Sequence, residues 1–276
     1  MYTALLALDL LLNSFNEELA LNPKIKKYQE NHLIVGTQRQ AEEAKKWTHR
    51  VYLATYPRSG NHWVRYLLED ATGIATSSTY RDLDPLHLET VFPWGGYCCE
   101  HGYDGGSRYP MQGENFVVKT HFPYLYLSWF ERLPYVCAIR IIRHPIDTFY
   151  SLYAYAINNN NAVPEYRIPE KDLRRYIQSW IQFQQYWDFA ENVLTIRYED
   201  LYNDPSSYLK LILASIGYEV DQEAIDRAIA RHPPSGGLLK HLHHFTDEDL
   251  YLIQRELGSL MEQYGYKVDG VKPYSL

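Results

Sequence analysis

The sequence predicts an α/β fold, a three-layer sandwich in which helices flank both faces of a central, mostly parallel sheet. Three observations predict it. Four short runs, at 51–56, 116–120, 138–142 and 193–197, are rich in β-branched or aromatic residues and end in polar or turn residues, as buried strands do. Helical stripes alternate with these runs, the pattern of a parallel sheet covered on both faces. The polar residues with chemical potential gather just after the runs, where open α/β sheets bind ligands.

In chain order, the opening "MYTALLALDLLLNSF" is apolar but short, contains Asp9 and has no preceding basic residue. It fails as a membrane span and is poor as a signal peptide. We expect residues 1–50 to be a helical segment packed on a core at 51–266, within one domain spanning 1–276. The run 51–56 leads through a polar loop into a stripe of Trp63, Val64, Leu67, Leu68 and Ala71, which stops at Gly73. Residues 76–114, rich in Gly, Tyr and Pro, and residues 158–169, which open on four asparagines, are too long for simple connections and read as functional loops or lids. Pro145 starts a helix after 138–142. Leu173, Tyr176, Ile177, Trp180, Ile181 and Phe183 form a second stripe. Leu209, Ile212, Leu213 and Ile216 form a third, closed by Gly217. Thr246 with Asp249 three residues on makes a capping box for a last helix.

Composition narrows the function. Of 276 residues, 46% are hydrophobic and 22% charged, the balance of an ordinary globule. With 34 acidic and 27 basic residues the net charge is -7, which argues against a nucleic-acid partner and confines any anion site to a local cluster. Cys98, Cys99 and Cys137 are odd in number and include an adjacent pair, so they do not read as a disulfide framework. A reducing, cytoplasmic location without a membrane partner is the expectation.

Five segments carry chemistry. In "TYPRSGNHW" a strand meets a helix through Arg58, Ser59 and Gly60. Free amides at a helix start attract anions, glycine admits close approach, and arginine adds a fork of donors. The GxxxxGK[ST] spacing of a Walker loop is absent, and a structural turn capped by Ser or Asn gives a similar string. In "KTHFP", Lys119 and His121 share one face of an extended chain. The lysine disfavours an imidazolium beside it, which suits a neutral general base; a plain surface histidine is the simpler alternative. In "RHPIDTFYS", two helical turns carry Ser151 back towards the side of Arg143, and the pair suits one phosphate; a simple ion pair of Arg143 with Asp147 competes with that reading. In "YEDL", Tyr198 offers a ring to stack on a base, while Glu199 and Asp200 cap or brace. In "PPSGGLLKHLHHFT", Gly236, Gly237 and Lys240 precede His241, His243 and His244, which lack a companion Cys or carboxylate at ligand spacing, so no metal site is expected.

Taken in order, these five segments resemble the sulfotransferases that use 3′-phosphoadenosine 5′-phosphosulfate (PAPS). The resemblance runs from about residue 51 to 266. It implies a fold like that of P-loop NTPases, PAPS as sulfuryl donor and its 3′,5′-bisphosphate (PAP) as product. By resemblance, Arg58, Ser59, Gly60, Asn61 and His62 form the loop around the 5′-phosphosulfate. Trp63 stacks on adenine with Tyr198 near the base. Arg143 and Ser151 hold the 3′-phosphate, and the Gly236–Gly237 region closes over it. His121 matches the catalytic base and Lys119 its neighbour at the transferring oxygens.

The chain also departs from the family pattern. Arg58 stands for the usual loop lysine, Asn61 and His62 for two threonines, and the C-terminal arginine-lysine-glycine run is not intact. Arg231 or Lys240 is the candidate replacement for its cation.

The expected acceptor is a hydroxyl, or an amine, of a small molecule. Trp94, Tyr97, Tyr103 and Phe122 are the proposed pocket walls, with Tyr80, Phe92 and Tyr109 as further aromatics and nearby carboxylates suited to a cationic group. A glycan acceptor ranks second. A P-loop nucleotide kinase would want a Walker lysine and Mg²⁺ ligands that the sequence lacks, and a non-catalytic nucleotide binder would not need Lys119 with His121.

Overall fold

The computed structural model describes residues 48–78, 107–108, 110–111, 113–124, 134–158 and 167–267. The expectations for residues 1–47, and for Tyr80, Phe92, Trp94, Tyr97, Tyr103 and Tyr109, lie outside the described residues, as does 159–166 of the second loop.

All four runs read as strands are strands. They are β1 (Arg50–Thr55), β3 (Phe116–Thr120), β4 (Cys137–Ile142) and β5 (Val193–Arg197). Strand β2 (Ser77–Ser78) was not expected, being a two-residue edge strand of serines with neither periodicity nor apolar content. Strand β1 also begins one residue earlier than expected. The buried Arg50 belongs to it, anchored by a bond from its guanidinium to the Pro134 carbonyl.

The sheet runs in the order β2-β3-β1-β4-β5 and every pairing is parallel. Parallel neighbours need crossover connections, and helices supply them. Among the described residues these are α1 (Asn61–Thr72), between β1 and β2, and α2 (Pro145–Asn158) with α3 (Glu170–Phe189), between β4 and β5; α4 (Tyr198–Asn203), α5 (Pro205–Ser215) and α6 (Gln222–Arg231) follow β5. A closing helix, α7 (Asp247–Gln263), follows.

Alternation along β1 explains the three layers. Tyr52 and Ala54 point to one core, where α2, α3 and α7 contribute Phe149, Trp180 and Ile253. Val51 and Leu53 point to the other, where α1, α5 and α6 contribute Leu67, Ile212 and Ile225. Both faces of each central strand are therefore removed from water, the condition that favours a parallel sheet.

Helix ends follow the local chemistry. Gly73, at φ 65°, closes α1 by returning its amide to the Glu69 carbonyl. Thr246 and Asp249 form the expected capping box of α7. Asp204 and Asp221 cap α5 and α6. Helix α1 has no side-chain cap and no acidic residue in its first turn.

The strand order places the site. The chain leaves β1 for β2 and β3 on one side, then crosses to β4 and β5 on the other. The carboxyl ends of β1 and β4 therefore flank the point where the winding reverses, and ligands of open α/β sheets bind there.

Candidate active site

Arg58 and Arg143 meet at that crevice. Arg58 has φ 70°, an uncommon conformation for a residue with a side chain. It turns the backbone so that its carbonyl accepts a bond from Arg143 Nη1 at 3.0 Å. The Arg58 side chain crosses to α2, where Nε donates to Ser151 Oγ at 3.1 Å and the guanidinium lies over the Tyr155 ring at 5.1 Å. Arg58, Arg143 and Ser151 thus form one connected group. The ion pair of Arg143 with Asp147 also exists, at a long 3.4 Å, and it does not exhaust the guanidinium.

Gly60 lies between the loop and α1. Its φ of 93° favours glycine, and a methyl group there would stand 2.6 Å from two carbons of the Tyr198 ring. Tyr198 is buried beneath Arg143, whose guanidinium carbon sits 4.5 Å from the ring centroid. The tyrosine is a wedge holding Gly60 and Arg143 in register. The base-stacking role expected for it is not the one this packing favours, because Trp63 and Tyr202 also crowd its ring. Burial pushes the Tyr198 hydroxyl above the usual phenol range, with Arg143 opposing that shift.

Trp63 is fixed by its indole N–H, which donates to the His232 carbonyl at 2.8 Å. His62 is exposed in the first turn of α1. Among the described residues, Ser59 Oγ, Asn61 Oδ1 and Arg143 Nε are buried polar atoms without a hydrogen-bond partner. Groups of this kind are costly to leave unpaired. Ser59 Oγ and Arg143 Nε can donate whereas Asn61 Oδ1 only accepts, and those two donors, an uncapped helix N-terminus and two arginines at one place match the needs of a bound phosphate.

His121 is buried next to the root of the same loop. Its Nδ1 lies 2.6 Å from the Thr55 carbonyl and 3.3 Å from Thr55 Oγ1. A carbonyl only accepts, so Nδ1 carries the proton and the neutral ring keeps its lone pair on Nε2. Lys119 is also buried, on β3 in register with Leu53.

The C-terminal loop completes the group. Gly236 and Gly237 have φ of 90° and 71°, and a methyl on Gly236 would stand 3.0 Å from Lys240 Nζ. Arg231 is committed elsewhere, to Asp70 of α1 at 2.8 Å. Burial pushes the His241 imidazole down to about 4, and Lys240 and Arg143 oppose its protonation while Asp147 favours it. His244 stacks on Tyr150 with ring centroids 3.7 Å apart. Among the described residues no group of three or more His, Cys, Asp or Glu has the arrangement of a metal site.

A family model described as "Sulfotransferase domain" matches residues 48–232, more than half of the chain. The chain belongs to the sulfotransferase domain family. Among curated proteins, a WSCD family member of Drosophila pseudoobscura pseudoobscura is 28% identical over 192 residues, 65% of this chain and 54% of that protein. Sulfotransferase 2B1 of Rattus norvegicus is 22% identical over 230 residues, 77% of this chain and 63% of that protein. The chain spans about half the length of the first of these relatives.

Solved structures share the fold. Mouse sulfotransferase SULT7A1, complexed with PAP, aligns with a TM-score of 0.53 at 19% identity, covering 82% of this chain and 90% of that one. Sulfotransferase STF9 from Mycobacterium avium aligns with a TM-score of 0.55 at 11% identity, covering 91% and 84%.

Within this sulfotransferase domain the sequence motifs converge as their order suggested, with one shift. Phe122 is buried in the core, edge-on to the Tyr186 ring at 4.8 Å, with its carbonyl accepting from Trp187 Nε1. It supports the site from behind and is not an open pocket wall.

One supporting group was not foreseen. The Thr55 carbonyl, which orients His121, is a backbone atom that no side-chain pattern reveals. Glu199, read only as a cap or brace, braces two segments: Oε1 accepts the His144 amide at 2.9 Å and Oε2 lies 2.6 Å from the Tyr266 hydroxyl. Burial holds the His144 imidazole below its usual range. Among the described residues no helix is long and apolar enough to cross a membrane.

Proposed function

We propose that this protein transfers a sulfuryl group from PAPS to a hydroxyl of a small-molecule acceptor. The observation that carries this reading is the meeting of Arg58, Ser151, Arg143 and the uncapped N-terminus of α1 beside His121, whose Nδ1 donates to the Thr55 carbonyl. The donor supplies an activated sulfate on a 5′-phosphate and, on the same nucleotide, a 3′-phosphate that distinguishes it from ordinary adenylates.

In this reading the α1 amides, Ser59 and Arg58 bind the 5′ end, while Arg143 and Ser151 bind the 3′-phosphate. Lys240 is the better replacement for the missing C-terminal arginine, because Arg231 is tied to Asp70 whereas Lys240 Nζ lies against Gly236. Trp63, held by the His232 carbonyl, offers its ring to adenine. His121 Nε2 takes the proton of the attacking hydroxyl, and its Nδ1–H bond to Thr55 stabilises the imidazolium that results. Charge then accumulates on the leaving phosphate oxygen, where Arg58, Lys119 and the helix amides are placed to stabilise it.

A small molecule is the proposed acceptor because a net charge of -7 disfavours an anionic polysaccharide, and the cysteine pattern supports a cytoplasmic setting. Incubation with PAPS and a mixed acceptor panel tests the reading by following release of the bisphosphate. His121→Ala lowers turnover on the order of 100-fold or more while leaving affinity for the bisphosphate near normal. Turnover retained in that variant would remove His121 from the chemistry.

A further inference from the structure

The Asp147 carboxylate is fully buried in the first turn of α2 and has three partners, Arg143 four residues before it and two amides of one distant loop. Oδ2 accepts the Leu239 amide at 2.8 Å and lies 3.4 Å from Arg143 Nη2, and Oδ1 accepts the His241 amide at 3.3 Å. The two amides flank Lys240. One carboxylate therefore ties the end of β4, through Arg143, to the loop bearing Gly236, Gly237 and Lys240.

The loop is not relaxed where it is held. Leu239 has φ 52°, a left-handed conformation that costs about 1–2 kcal/mol for a residue with a side chain, and Leu239 is itself substantially exposed. Little apolar burial compensates there, so the loop geometry depends on the anchoring bond. A helix-start carboxylate that merely offset the α2 dipole would not require this conformation 92 residues away.

We infer that Asp147 is a positioning residue for donor binding, which locks the Gly236–Lys240 loop against Arg143 so that Lys240 and Arg143 present their charges as one preformed site. The inference rests on the reading above that these cations hold the 3′-phosphate. Its action is indirect, since the carboxylate repels a phosphate and reaches it only through the groups it orients. Loss of the lock removes pre-organisation, so weaker nucleotide binding is expected with the transfer step, centred on His121, intact.

The test measures PAP affinity for wild type, Asp147→Asn, Lys240→Ala and the double variant. Asparagine keeps the size but replaces one acceptor oxygen with a donor and removes the charge. It is expected to weaken PAP binding about 10- to 100-fold, the range for losing bonds to a charged group. The KM for PAPS should rise in parallel while kcat changes less than about threefold, a split that general destabilisation would not produce.

Lys240→Ala should weaken binding strongly in wild type but little in Asp147→Asn, because the lysine is no longer held in place. Hydrogen exchange at the Leu239 and His241 amides should accelerate in Asp147→Asn without nucleotide. Asp147→Glu carries the same measurements if the asparagine variant does not fold. Unchanged PAP affinity, or additive effects of the two substitutions, overturns the inference. Wild type failing to bind PAP overturns the donor-site reading instead, and unchanged exchange at the two amides then overturns the tether as well.

Discussion

Gly60 meets two separate demands, and either alone would select glycine. Its φ of 93° penalises any side chain, and the Tyr198 ring occupies the space a Cβ would fill at 2.6 Å. Alanine at this position must shift either the loop or the tyrosine, and the tyrosine supports Arg143. Gly60→Ala is therefore expected to lower stability by at least about 1–2 kcal/mol from the backbone alone. It should also weaken PAP binding beyond what that loss explains. Urea unfolding and nucleotide titration of the same variant check both parts, and full affinity at reduced stability would separate the loop from the site. Arg58 shows how a conservative difference works at this scale. A lysine has no Nε–H donor to Ser151 and no plane to lay on Tyr155.

Caps distinguish the elements. Helices α5, α6 and α7 each have a side chain satisfying the first-turn amides, whereas α1, α3 and α4 have none, and of these three α3 and α4 carry acidic residues in the first turn that α1 lacks. An uncapped helix start costs stability in the absence of an anion, so bound nucleotide should raise the melting temperature with the logarithm of its concentration above the Kd. The short 3₁₀ turn Leu242–His244 and the preceding His241 give the C-terminal loop a pH dependence. His241 has its imidazole depressed to about 4 in the folded protein, whereas the unfolded chain protonates near the ordinary value of 6.5. Between those values the unfolded state binds a proton that the folded state refuses, so stability falls as pH drops through this window and is fully present above it. Melting temperatures between pH 7.5 and 4.5 should show that decline. His241→Asn should flatten it, leaving the part that His144 and His244 contribute in the same direction. A profile identical to wild type would mean that His241 is not buried in solution.

At the scale of the molecule, buried polar groups join layers that apolar packing alone would leave free to slide. Arg140 of β4 reaches Asp188 at the end of α3 at 2.8 Å, the Thr195 hydroxyl on β5 and the Gln184 carbonyl, while the Tyr264 hydroxyl lies 2.6 Å from the same aspartate. This network ties the sheet, α3 and the end of α7 together. Asp188→Ala leaves a buried guanidinium without its charge partner, and destabilisation smaller than the about 3–5 kcal/mol of a fully buried pair is expected, because Asp188 is partly exposed. PAP affinity should be unchanged at temperatures where the variant is folded, because the network lies away from the Arg58 and Arg143 group. Denaturation combined with nucleotide titration checks the separation, and a large loss of affinity would show that the two ends of the sheet communicate. Tyr266 plays a similar part nearer the site, joining the end of β4 to Glu199.

The sequence by itself determined the fold class, the four main strands, the helical stripes with their glycine stops, and which segments carry charge to the strand ends. Those features depend on periodicity and turn chemistry within a few neighbouring residues, and they survive in one dimension. Only the tertiary structure decided which cations are available and how each is held. Arg231 and Lys240 look equivalent along the chain, yet one meets Asp70 across 161 positions and the other stands beside Gly236. Tyr198 looked like a stacking platform until Gly60 and Arg143 closed on it. His121 had no defined tautomer until the Thr55 carbonyl arrived from the neighbouring strand. Each outcome depends on strand order and on backbone atoms brought together from distant segments, which no local pattern of side chains encodes.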